Sequence, residues 1–598
     1  MFKQFLSISI LVVFSFVTKA QLYVTTGETI TVSTLGDLAL QEDLNNNGTI
    51  TNLTLGGGNA QNILGIGTIN TLILNKTAGT ATGTGGMQSI SSTITPTAGS
   101  LNAGGYITLL STVGGSATIT QGSGSYLSGN IIVQRYVGSN LQWRMVGFPF
   151  TSATFITEST LAAFYTSGYK AYTYNEAGDN GAYGSSGAVN AGWTAFTTGT
   201  ITSDKGLLLS GGAIPSVINF SGPINTGNQN ITLSYSSGSK GWNLIANPFA
   251  SNIDWDLVHA HNGCGLDNAI YRYDPNTTAY ASYIPGNSPS STGNLNNILE
   301  NGAAFFVHSS YATSMGINES DKTNSAPLLS LMGLHQTIGT ITADGIANTP
   351  TTSQYDQSII KLSLSKQGDI YGDEVVLRWG GPYNVTDHFD TRYDAYDRGR
   401  QIGPDLSVIG TDSTVYSIFH GSALNGNNAE NRTVQLGIKN MAVGAYQIKL
   451  GLLSSLANGN EAFLIDRYSN ENVLIGGADS IYAFEVNADL LSQSAERFAV
   501  TMNYKAVDHN TANNNLPVLL LNNPSTGNLF TLYSKNNFNQ LQWEIVDASG
   551  RSLQTGLLSN VLKGSTHQIN AGNTKQGNYF IKLTGDGNSL PVLKALKN

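Results

Sequence analysis

The chain is poor in cysteine, in charged residues and in long apolar runs. Its 598 residues include one cysteine, Cys264, so no disulfide bond forms within a single chain. Charged residues make up only 11% of the chain and leave a net charge of −9, without any basic cluster. This balance argues against a nucleic-acid surface. No apolar stretch reaches the roughly eighteen residues that a membrane span needs, so we expect no transmembrane helix.

The abundant residues favour an all-β protein made of several domains. Apolar residues form 40% of the chain, which is enough to build packed cores. Short runs of threonine, isoleucine, valine and leucine alternate with turns rich in glycine and asparagine. β-Branched residues in short runs between turn residues are typical of strands.

The first twenty residues have the pattern of a secretory signal peptide. Lys3 is followed by an apolar run from Phe5 to Val17, and the small residue Ala20 precedes Gln21. The run is too short for a membrane anchor, and no cysteine at the cleavage point offers a lipid anchor. We therefore expect residues 1–20 to be removed during secretion.

Residues 21–125 form a β-repeat region. The run Gly48–Leu55 is echoed 19 residues later by Gly67–Leu74. Short, regularly spaced strands of this kind predict either a short β-solenoid or a sandwich.

Residues 126–325 contain two tandem β-modules. The block Trp143–Phe150 aligns with Trp242–Phe249, an offset of 99, and a later block, Gly206–Leu209, aligns with Gly302–Phe305 at an offset of 96. Each module is expected to open with a buried tryptophan strand that stops at a proline, since proline cannot continue a central strand.

The chain is predicted to end in two further β-domains. Residues 355–505 contain runs with clean alternation of apolar and polar residues, such as Glu374–Trp379 and Gly444–Leu450, and predict a β-sandwich. Residues 516–598 form a separate small β-domain with three motifs: Asn523–Gly527, Ile545–Arg551 and Gly577–Leu583.

These three motifs resemble the type A C-terminal sorting domain of the type IX secretion system of Bacteroidetes. The resemblance implies an Ig-like domain that the outer-membrane translocon recognises and usually removes, often with attachment of the protein to surface lipopolysaccharide. The residues that carry the sorting motif are Asn523, Pro524, Gly527, Asp547, Gly550, Gly577 and Tyr579. We therefore expect a secreted or cell-surface protein associated with the outer membrane, with the translocon and sorting machinery as partners.

The tandem modules carry a second resemblance. The runs Ser128–Tyr136 and Gly241–Phe249, followed by Asp254 and Trp255, look like modules of large flavobacterial surface proteins, many of which are adhesin-like. This resemblance implies that the chain lies at the cell surface, but it does not assign a reaction to it.

Aromatic residues at matching places in the two modules are candidates for stacking on sugars, because their rings combine apolar faces with polar tips. The candidate ligand-binding residues are Tyr172, Tyr174, Trp193, Tyr271 and Tyr273. The alternative is that these alternating aromatics pack in a core.

Four aspartates spaced three, four and three residues apart suggest a calcium site. A helical turn would bring Asp387, Asp390, Asp394 and Asp397 near one face, and hard oxygen ligands suit calcium. The alternative is a structural loop with aromatic anchors. Weaker metal patterns are an EF-hand-like half-loop from Asp43 to Ile50 and the pair His259 and His261, which would share a face on a strand.

No catalytic motif is recognisable. The chain has no G-x-S-x-G, no H-E-x-x-H, no P-loop and no dinucleotide-binding fingerprint, so no catalytic residue or cofactor is predicted besides the calcium alternative. The sequence favours a non-catalytic adhesin-like protein that binds surface glycans or lipopolysaccharide. A secreted polysaccharide-degrading enzyme, lyase or hydrolase, with the same sorting domain stays open as the alternative.

Overall fold

The computed structural model describes most of the chain, in two compact units. The first unit is Met1–Pro350 together with Asp390–Ile402, and the second is Thr351–Phe389 together with Gly403–Asn598. The described residues are 21–32, 38–136, 143–151, 156–157, 170–179, 192–196, 200–210, 217–236, 241–262, 265–286, 292–293, 295–327, 358–369, 372–380, 385–400, 402–422, 432–452, 461–476, 480–502, 516–521, 528–547, 550–572, 574–575 and 577–597.

The first unit begins with a parallel β-solenoid. Its strands are β1 (Leu22–Val24), β2 (Thr29–Ile30), β3 (Leu38–Leu40), β4 (Leu44–Asn46), β5 (Thr49–Gly57), β6 (Gln61–Leu64), β7 (Thr68–Gly85), β8 (Gln88–Asn102), β9 (Ile107–Leu109), β10 (Ser111–Thr112), β11 (Gly115–Ser116), β12 (Thr118–Ile119), β13 (Leu127–Ser128) and β14 (Ile131–Tyr136). Successive rungs pair in parallel from β5 through β7, β8 and β9 to β14. Of the two architectures expected for this region, the solenoid is therefore the one that forms.

Aliphatic ladders hold the rungs together. Ile50 pairs with Ile69, which pairs with Ile90, and Leu109 continues the same ladder. All four side chains are buried. The interior also takes in amide groups, because Gln88 donates from Nε2 to main-chain oxygens of two neighbouring rungs at 2.7 and 3.0 Å. The residues that repeat every 19 positions and point inward thus form the hydrophobic core of the solenoid.

The two modules that follow contain sheets of the same strand order. The first module has β15 (Arg144–Val146), β16 (Ile156–Thr157), β17 (Lys170–Tyr174), β18 (Trp193–Ala195), β19 (Thr200–Ile201), β20 (Leu207–Ser210) and a 3-10 turn, Glu176–Gly178; β21 (Val217–Gly222) follows and pairs with β14. The second has β22 (Gln229–Leu233), β23 (Trp242–Ala246), β24 (Asn252–Asp254), α1 (Trp255–His261), β25 (Leu266–Asp274), β26 (Ala279–Tyr283), β27 (Ile298–Leu299), β28 (Ala304–Ser309), β29 (Thr313–Ile317), a 3-10 turn, Glu319–Asp321, and β30 (Lys322–Thr323). The orders are β15-β20-β17-β18 and β23-β28-β25-β26.

The strand registers correct the third sequence alignment between the modules. Tyr172 pairs with Leu208 in the first sheet, and Tyr271 pairs with Phe306 in the second. Leu208 is therefore equivalent to Phe306, 98 residues on, and the alignment of this block at an offset of 96 was wrong by two residues. Trp143 is only half-buried, whereas Trp242 is 2% exposed, so a fully buried opening tryptophan is found in the second module alone.

The second unit contains a long sheet and a small sandwich. The sheet has β31 (Ser358–Lys366), β32 (Asp373–Trp379), β34 (Asp405–Ile409), β35 (Val415–Gly421), β36 (Arg432–Lys439), β37 (Gly444–Leu452), β38 (Ala462–Asp466), β39 (Glu471–Leu474), β40 (Ser480–Val486) and β41 (Phe498–Met502), with a 3-10 turn, Leu490–Gln493. Its order is β39-β38-β41-β36-β34-β35-β32-β31-β37-β40. Side chains from both ends of this order share one buried core, so the sheet curls over itself. The short strand β33 (Ala395–Tyr396) lies in the segment that belongs to the first unit.

The C-terminal strands form two sheets around a common core. They are β42 (Val518–Leu521), β43 (Leu529–Ser534), β44 (Phe538–Asp547), β45 (Ser552–Val561), β46 (Thr566–Asn570), β47 (Gly577–Gly585) and β48 (Asn588–Lys597). The sheet orders are β42-β43-β46 and β45-β44-β47-β48, and both contribute to one hydrophobic cluster. The expectation of an all-β protein is confirmed. Within the described ranges, no helix has the length and apolarity that a membrane crossing requires.

Candidate functional site

One face of the second module's sheet carries a group of aromatic side chains. Tyr271 in β25 is paired with Phe306 in β28. Tyr273, two residues further along β25 and on the same face, is paired with Tyr280 in β26. The neighbouring positions, such as Ile270 and Phe305, point to the opposite face and form the hydrophobic core. Because successive strand residues alternate between faces, the sequence places aliphatic side chains mainly on one side and rings on the other.

We call this group the aromatic cluster, and it includes two rings from the first module. Its members are Tyr174, Trp193, Trp242, Tyr271, Tyr280 and Phe306. Tyr174 lies with its ring centroid 4.8 Å from that of Phe306, and Trp193 lies 5.0 Å from Tyr174, both edge to face. Trp242 and Tyr271 meet in the same way at 4.9 Å. Edge-to-face contact is the arrangement that aromatic quadrupoles favour.

Burial raises the pKa of two tyrosine hydroxyls in this cluster. The pKa of Tyr271 is raised well above its ordinary value, first by burial and then by the charge of Asp267. Burial also raises the pKa of Tyr174, and its hydrogen bond to Asp179 adds to the effect while the charge of Arg398 opposes it. These two phenols therefore keep their protons, and act as hydrogen-bonding groups, even at alkaline pH where an exposed tyrosine would ionise.

Residues 390–400, which we call the strap, lie on the aromatic cluster. The Arg398 guanidinium carbon is 4.0 Å from the centroid of the Trp242 ring and 3.9 Å from that of Phe306, with Tyr280 at 5.1 Å. Arg398 is 4% exposed. A cation held between two ring faces and removed from water is a strong form of the cation–π contact.

The strap's main chain is also held by the second module. The N–H of Tyr396 donates to the Tyr271 hydroxyl at 2.9 Å, and the N–H of Asn268 donates to the Thr391 carbonyl at 2.9 Å. The Arg400 guanidinium donates to the Thr277 carbonyl at 2.7 Å. The second module thus holds the strap by hydrogen bonds along its length as well as by contacts with the aromatic rings.

The aspartates proposed for calcium build the turns of the strap. A single turn forms, in which the N–H of Asp394 donates to the Asp390 carbonyl at 2.9 Å, but it does not continue as a helix. The carboxylate of Asp394, which is 1% exposed, accepts from the N–H of Asp390 at 2.7 Å, and Asp397 accepts from the N–H of Gly399 at 2.9 Å. Asp390 accepts from the exposed Arg392 side chain at 2.7 Å. Such side-chain bonds to nearby N–H groups are typical of aspartate turns and compete with helix formation.

Asp387 does not belong with the other three aspartates. It lies in the second unit, where it accepts from the N–H of Ser422 at 3.0 Å and pairs with Arg432 at 3.3 Å. Among the described residues, no group of three or more His, Cys, Asp or Glu side chains is arranged to hold a metal ion. Calcium binding by these aspartates stays a prediction.

The other metal patterns have structural partners. His259 and His261 lie on helix α1 and not on a strand, so they do not share a face; one contacts Asn268 at 2.7 Å and the other Asp321 at 2.9 Å. Asp43 accepts from the N–H of Asn62 on the next solenoid rung at 2.8 Å. Cys264 lies outside the described residues.

The five aromatic residues proposed to bind ligand differ in exposure. Tyr271 and Tyr273 are 1% and 2% exposed, so they belong to the packed interior, as the core alternative had it. Tyr172, Tyr174 and Trp193 are half-buried. Sequence reasoning missed the contribution of Phe306 and Arg398. The adjacent Phe305 and Phe306 were a signal for Phe306, because neighbouring strand residues point to opposite faces and one of the two rings must leave the core side. The acidic sequence around Arg398 gave no sign of a buried arginine.

The sorting-motif residues that the structure describes form a turn and a corner. Gly550, with a φ of +84°, sits in the turn between β44 and β45, where Asp547 accepts from the N–H of Arg551 at 3.1 Å. Tyr579 lies at the start of β47, after Gly577, and donates its hydroxyl proton to the Lys575 carbonyl at 2.5 Å. A tyrosine bonded to main chain just upstream is a known corner of Ig-like sandwiches. Asn523, Pro524 and Gly527 lie outside the described residues.

The fold and the C-terminal corner define an all-β protein that ends in an Ig-like sandwich. Residues 522–594 match the secretion system C-terminal sorting domain, which confirms the predicted domain and indicates export by the type IX secretion system. No curated protein matches the chain.

Two solved structures show weak similarity. A biofilm associated protein, BSP domain, is 9% identical, with 78% of this chain and 62% of that chain covered and a TM-score of 0.12. An FMN-binding beta-glucuronidase from Facaelibacterium prausnitzii L2-6 is also 9% identical, with 40% and 38% covered and a TM-score of 0.10. The chain spans less than two thirds of each, and TM-scores this low relate neither fold nor function.

Proposed function

We propose that the chain is an adhesin-like, glycan-binding protein that the type IX system delivers to the cell surface, where it stays associated with the outer membrane. The observation that carries this proposal is the sorting domain at residues 522–594. The domain is an export address, so the rest of the chain works outside the cell. Residues 1–20 would serve as the signal peptide for the first step of that export, and lipopolysaccharide would be the attachment point.

The modular β-architecture supports a binding role over a catalytic one. The described acidic and histidine candidates are engaged in turns, ladders and ion pairs, as Asp394, Asp43 and His261 illustrate. A glycosidase needs two carboxyl groups facing each other across an open cleft. The candidates named here are instead engaged in holding the fold, which favours a surface that binds without cleaving.

Glycan contact is proposed at the half-buried rings of the first module. Tyr172 packs against Trp143 with ring centroids 5.6 Å apart, and both rings keep part of their surface in solvent. An aromatic platform with a fixed orientation suits stacking on a sugar ring at low entropic cost. Tyr172 and Trp143 are therefore the residues to vary first.

The test is a glycan array probed with the mature chain, with the same glycans incubated in a reducing-end release assay. We expect saturable binding without release of new reducing ends, and about three- to tenfold weaker binding for Tyr172→Ala, the scale of a lost stacking contact. Tyr106→Ala is the matched control, since this tyrosine is 38% exposed on the solenoid and should leave binding unchanged. Release of new reducing ends would contradict the adhesin-like proposal and would support the alternative of a polysaccharide-degrading enzyme.

A further inference from the structure

Among the described residues of the two modules, a pair of rings that holds an arginine is found in the second module alone. The first module carries Trp143 and Tyr172 at positions equivalent to Trp242 and Tyr271, but Leu208 stands where the second has Phe306. A leucine gives packing without a negative ring face, so the first sheet cannot place a guanidinium between two aromatic faces. The site is thus a specialised property of one repeat.

The site selects the planar guanidinium group. Trp242 and Phe306 lie at 4.0 and 3.9 Å from its central carbon, and their ring planes stand at 89° to each other, so the flat group can stack on one ring while its N–H edge faces the other. A lysine ammonium is a compact, strongly hydrated charge without a planar face. The chemistry of the pocket is therefore that of an arginine side chain.

Main-chain contacts on either side extend the site to a peptide. Asn268 donates from its N–H and its Nδ2 to the carbonyls of Thr391 and Arg392, at 2.9 and 3.2 Å. At the other end Ala279 forms an antiparallel bridge with Arg400. Hydrogen bonds to the main chain with one side-chain pocket between them are the usual way an extended peptide is recognised.

The strap brings its own turn to this surface. Asp390 and Asp394 close the turn through two bonds, 2.7 and 2.9 Å long, that use strap atoms only. A segment that is already folded loses less conformational entropy when it binds. The strap therefore has the properties of a short, preorganised ligand for the surface that it covers.

We infer that the aromatic cluster of the second module is a recognition site for an arginine-bearing peptide segment, and that the strap of a second copy of this chain can occupy it. Exchange of an identical element between copies uses contacts that already exist, so it links chains without a new interface. The inference goes beyond the glycan-binding role and does not rest on it.

The experiment uses a fluorescent peptide of residues 390–400 and the full mature chain carrying Arg398→Ala, which empties the arginine position. Fluorescence anisotropy should show saturable binding of the peptide to this variant. Binding to the wild-type chain should be at least about tenfold weaker, because its own strap competes at a high effective concentration. A peptide with Arg398→Ala should lose at least about tenfold in affinity, while one with Arg392→Ala should bind unchanged, since Arg392 is exposed.

Two results would overturn the inference. One is the absence of peptide binding to a variant chain whose circular dichroism and thermal midpoint show that it is folded. The other is equal binding of the native and the Arg398→Ala peptides, which would leave the arginine without a role. If Arg398→Ala does not fold, Arg398→Lys replaces it as the acceptor, because lysine keeps the charge and loses the planar stacking.

Discussion

Arg398 and Arg392 lie six residues apart in the same strap and show how surroundings decide what a charged side chain contributes. Arg398 is 4% exposed among aromatic rings, whereas the Arg392 side chain is 61% exposed and pairs with Asp390 at 2.7 Å. An exposed pair is screened by water and contributes little. A desolvated cation depends on every contact around it.

We predict that Arg398→Ala destabilises the first unit by about 2–4 kcal/mol, through the lost cation–π contacts and the cavity left behind. Arg392→Ala should change stability by less than about 0.5 kcal/mol. Urea unfolding followed by tryptophan fluorescence measures both. Equal effects of the two substitutions would show that Arg398 is not an anchor.

A second buried arginine makes a pH-dependent contribution in the other unit. Arg497 binds Asp466 through two hydrogen bonds of 2.6 and 2.8 Å, and both side chains are almost fully buried. Burial alone would raise the pKa of the Asp466 carboxyl. The hydrogen bonds and the charge of Arg497, with help from Tyr482, outweigh it and hold the pKa below the ordinary value.

Because the folded pKa of Asp466 is depressed, its stabilisation is present above the ordinary aspartate pKa of about 4 and is lost as pH falls through the folded value. Asp466→Asn should cost about 3–5 kcal/mol at neutral pH, since it leaves a buried arginine unpaired. The variant should also lose less stability than wild type between about pH 4 and pH 2. Urea unfolding across this range tests it, and parallel acid profiles would rule out Asp466 as the source.

At the scale of elements, the same corner occurs twice. Tyr446 at the start of β37 donates to the Ala442 carbonyl at 2.9 Å, as Tyr579 does to Lys575 at the start of β47. Both strands have the sequence Gly-x-Tyr-x-Ile-Lys-Leu. The long sheet and the sorting domain therefore use one device to fix the entry of a strand.

We predict that Tyr446→Phe and Tyr579→Phe each destabilise their own domain by about 1 kcal/mol, the net value of one hydrogen bond. Differential scanning calorimetry of the full chain reports each domain's transition. The exposed Tyr23, on the solenoid, provides a control in Tyr23→Phe, which should shift no transition. An unchanged transition in both corner variants would show that the corner does not contribute.

The solenoid turns differ in how tightly they pack between rungs. Gly65 has a φ of +96°, and a Cβ there would lie 2.2 Å from the Asn46 carbonyl oxygen; Gly27 has a φ of +86° with open space around it. Gly27→Ala should cost about 1 kcal/mol for its backbone conformation alone. Gly65→Ala should cost at least about 3 kcal/mol, since the rungs must separate. Thermal unfolding by circular dichroism compares the two, and equal losses would contradict the close packing of rungs.

Local patterns predicted the elements better than they predicted the site. The echo of Gly48–Leu55 by Gly67–Leu74 predicted repeated strands, because inward and outward residues alternate within each rung. The spacing of Asp390, Asp394 and Asp397 predicted a shared face on a helical turn; a single turn forms from Asp390 to Asp394, whereas Asp397 binds the N–H of Gly399 beyond it. Contact of Arg398 with Phe306 joins residues far apart in sequence, and no local pattern encodes such a pairing.

At the scale of the whole molecule, the C-terminal domain has a different role from the rest. Its motifs were recognisable in the sequence because turns and strand entries, such as those at Gly550 and Tyr579, depend on local residues. The binding surfaces of the modules are formed by residues from strands that are far apart in sequence. Their ligand is therefore not encoded in any short motif. Export is therefore the firmest functional conclusion, and it makes the sorting domain the decisive part to remove.

The most direct measurement compares the full chain with a chain ending at residue 515, both produced in a bacterium with a working type IX system. We expect the full chain on the cell surface or in the medium, and the truncated chain retained in the periplasm, because it lacks the sorting domain at residues 522–594. A strain without the translocon, which should retain both chains, is the control. Appearance of the truncated chain outside the cell would contradict the account.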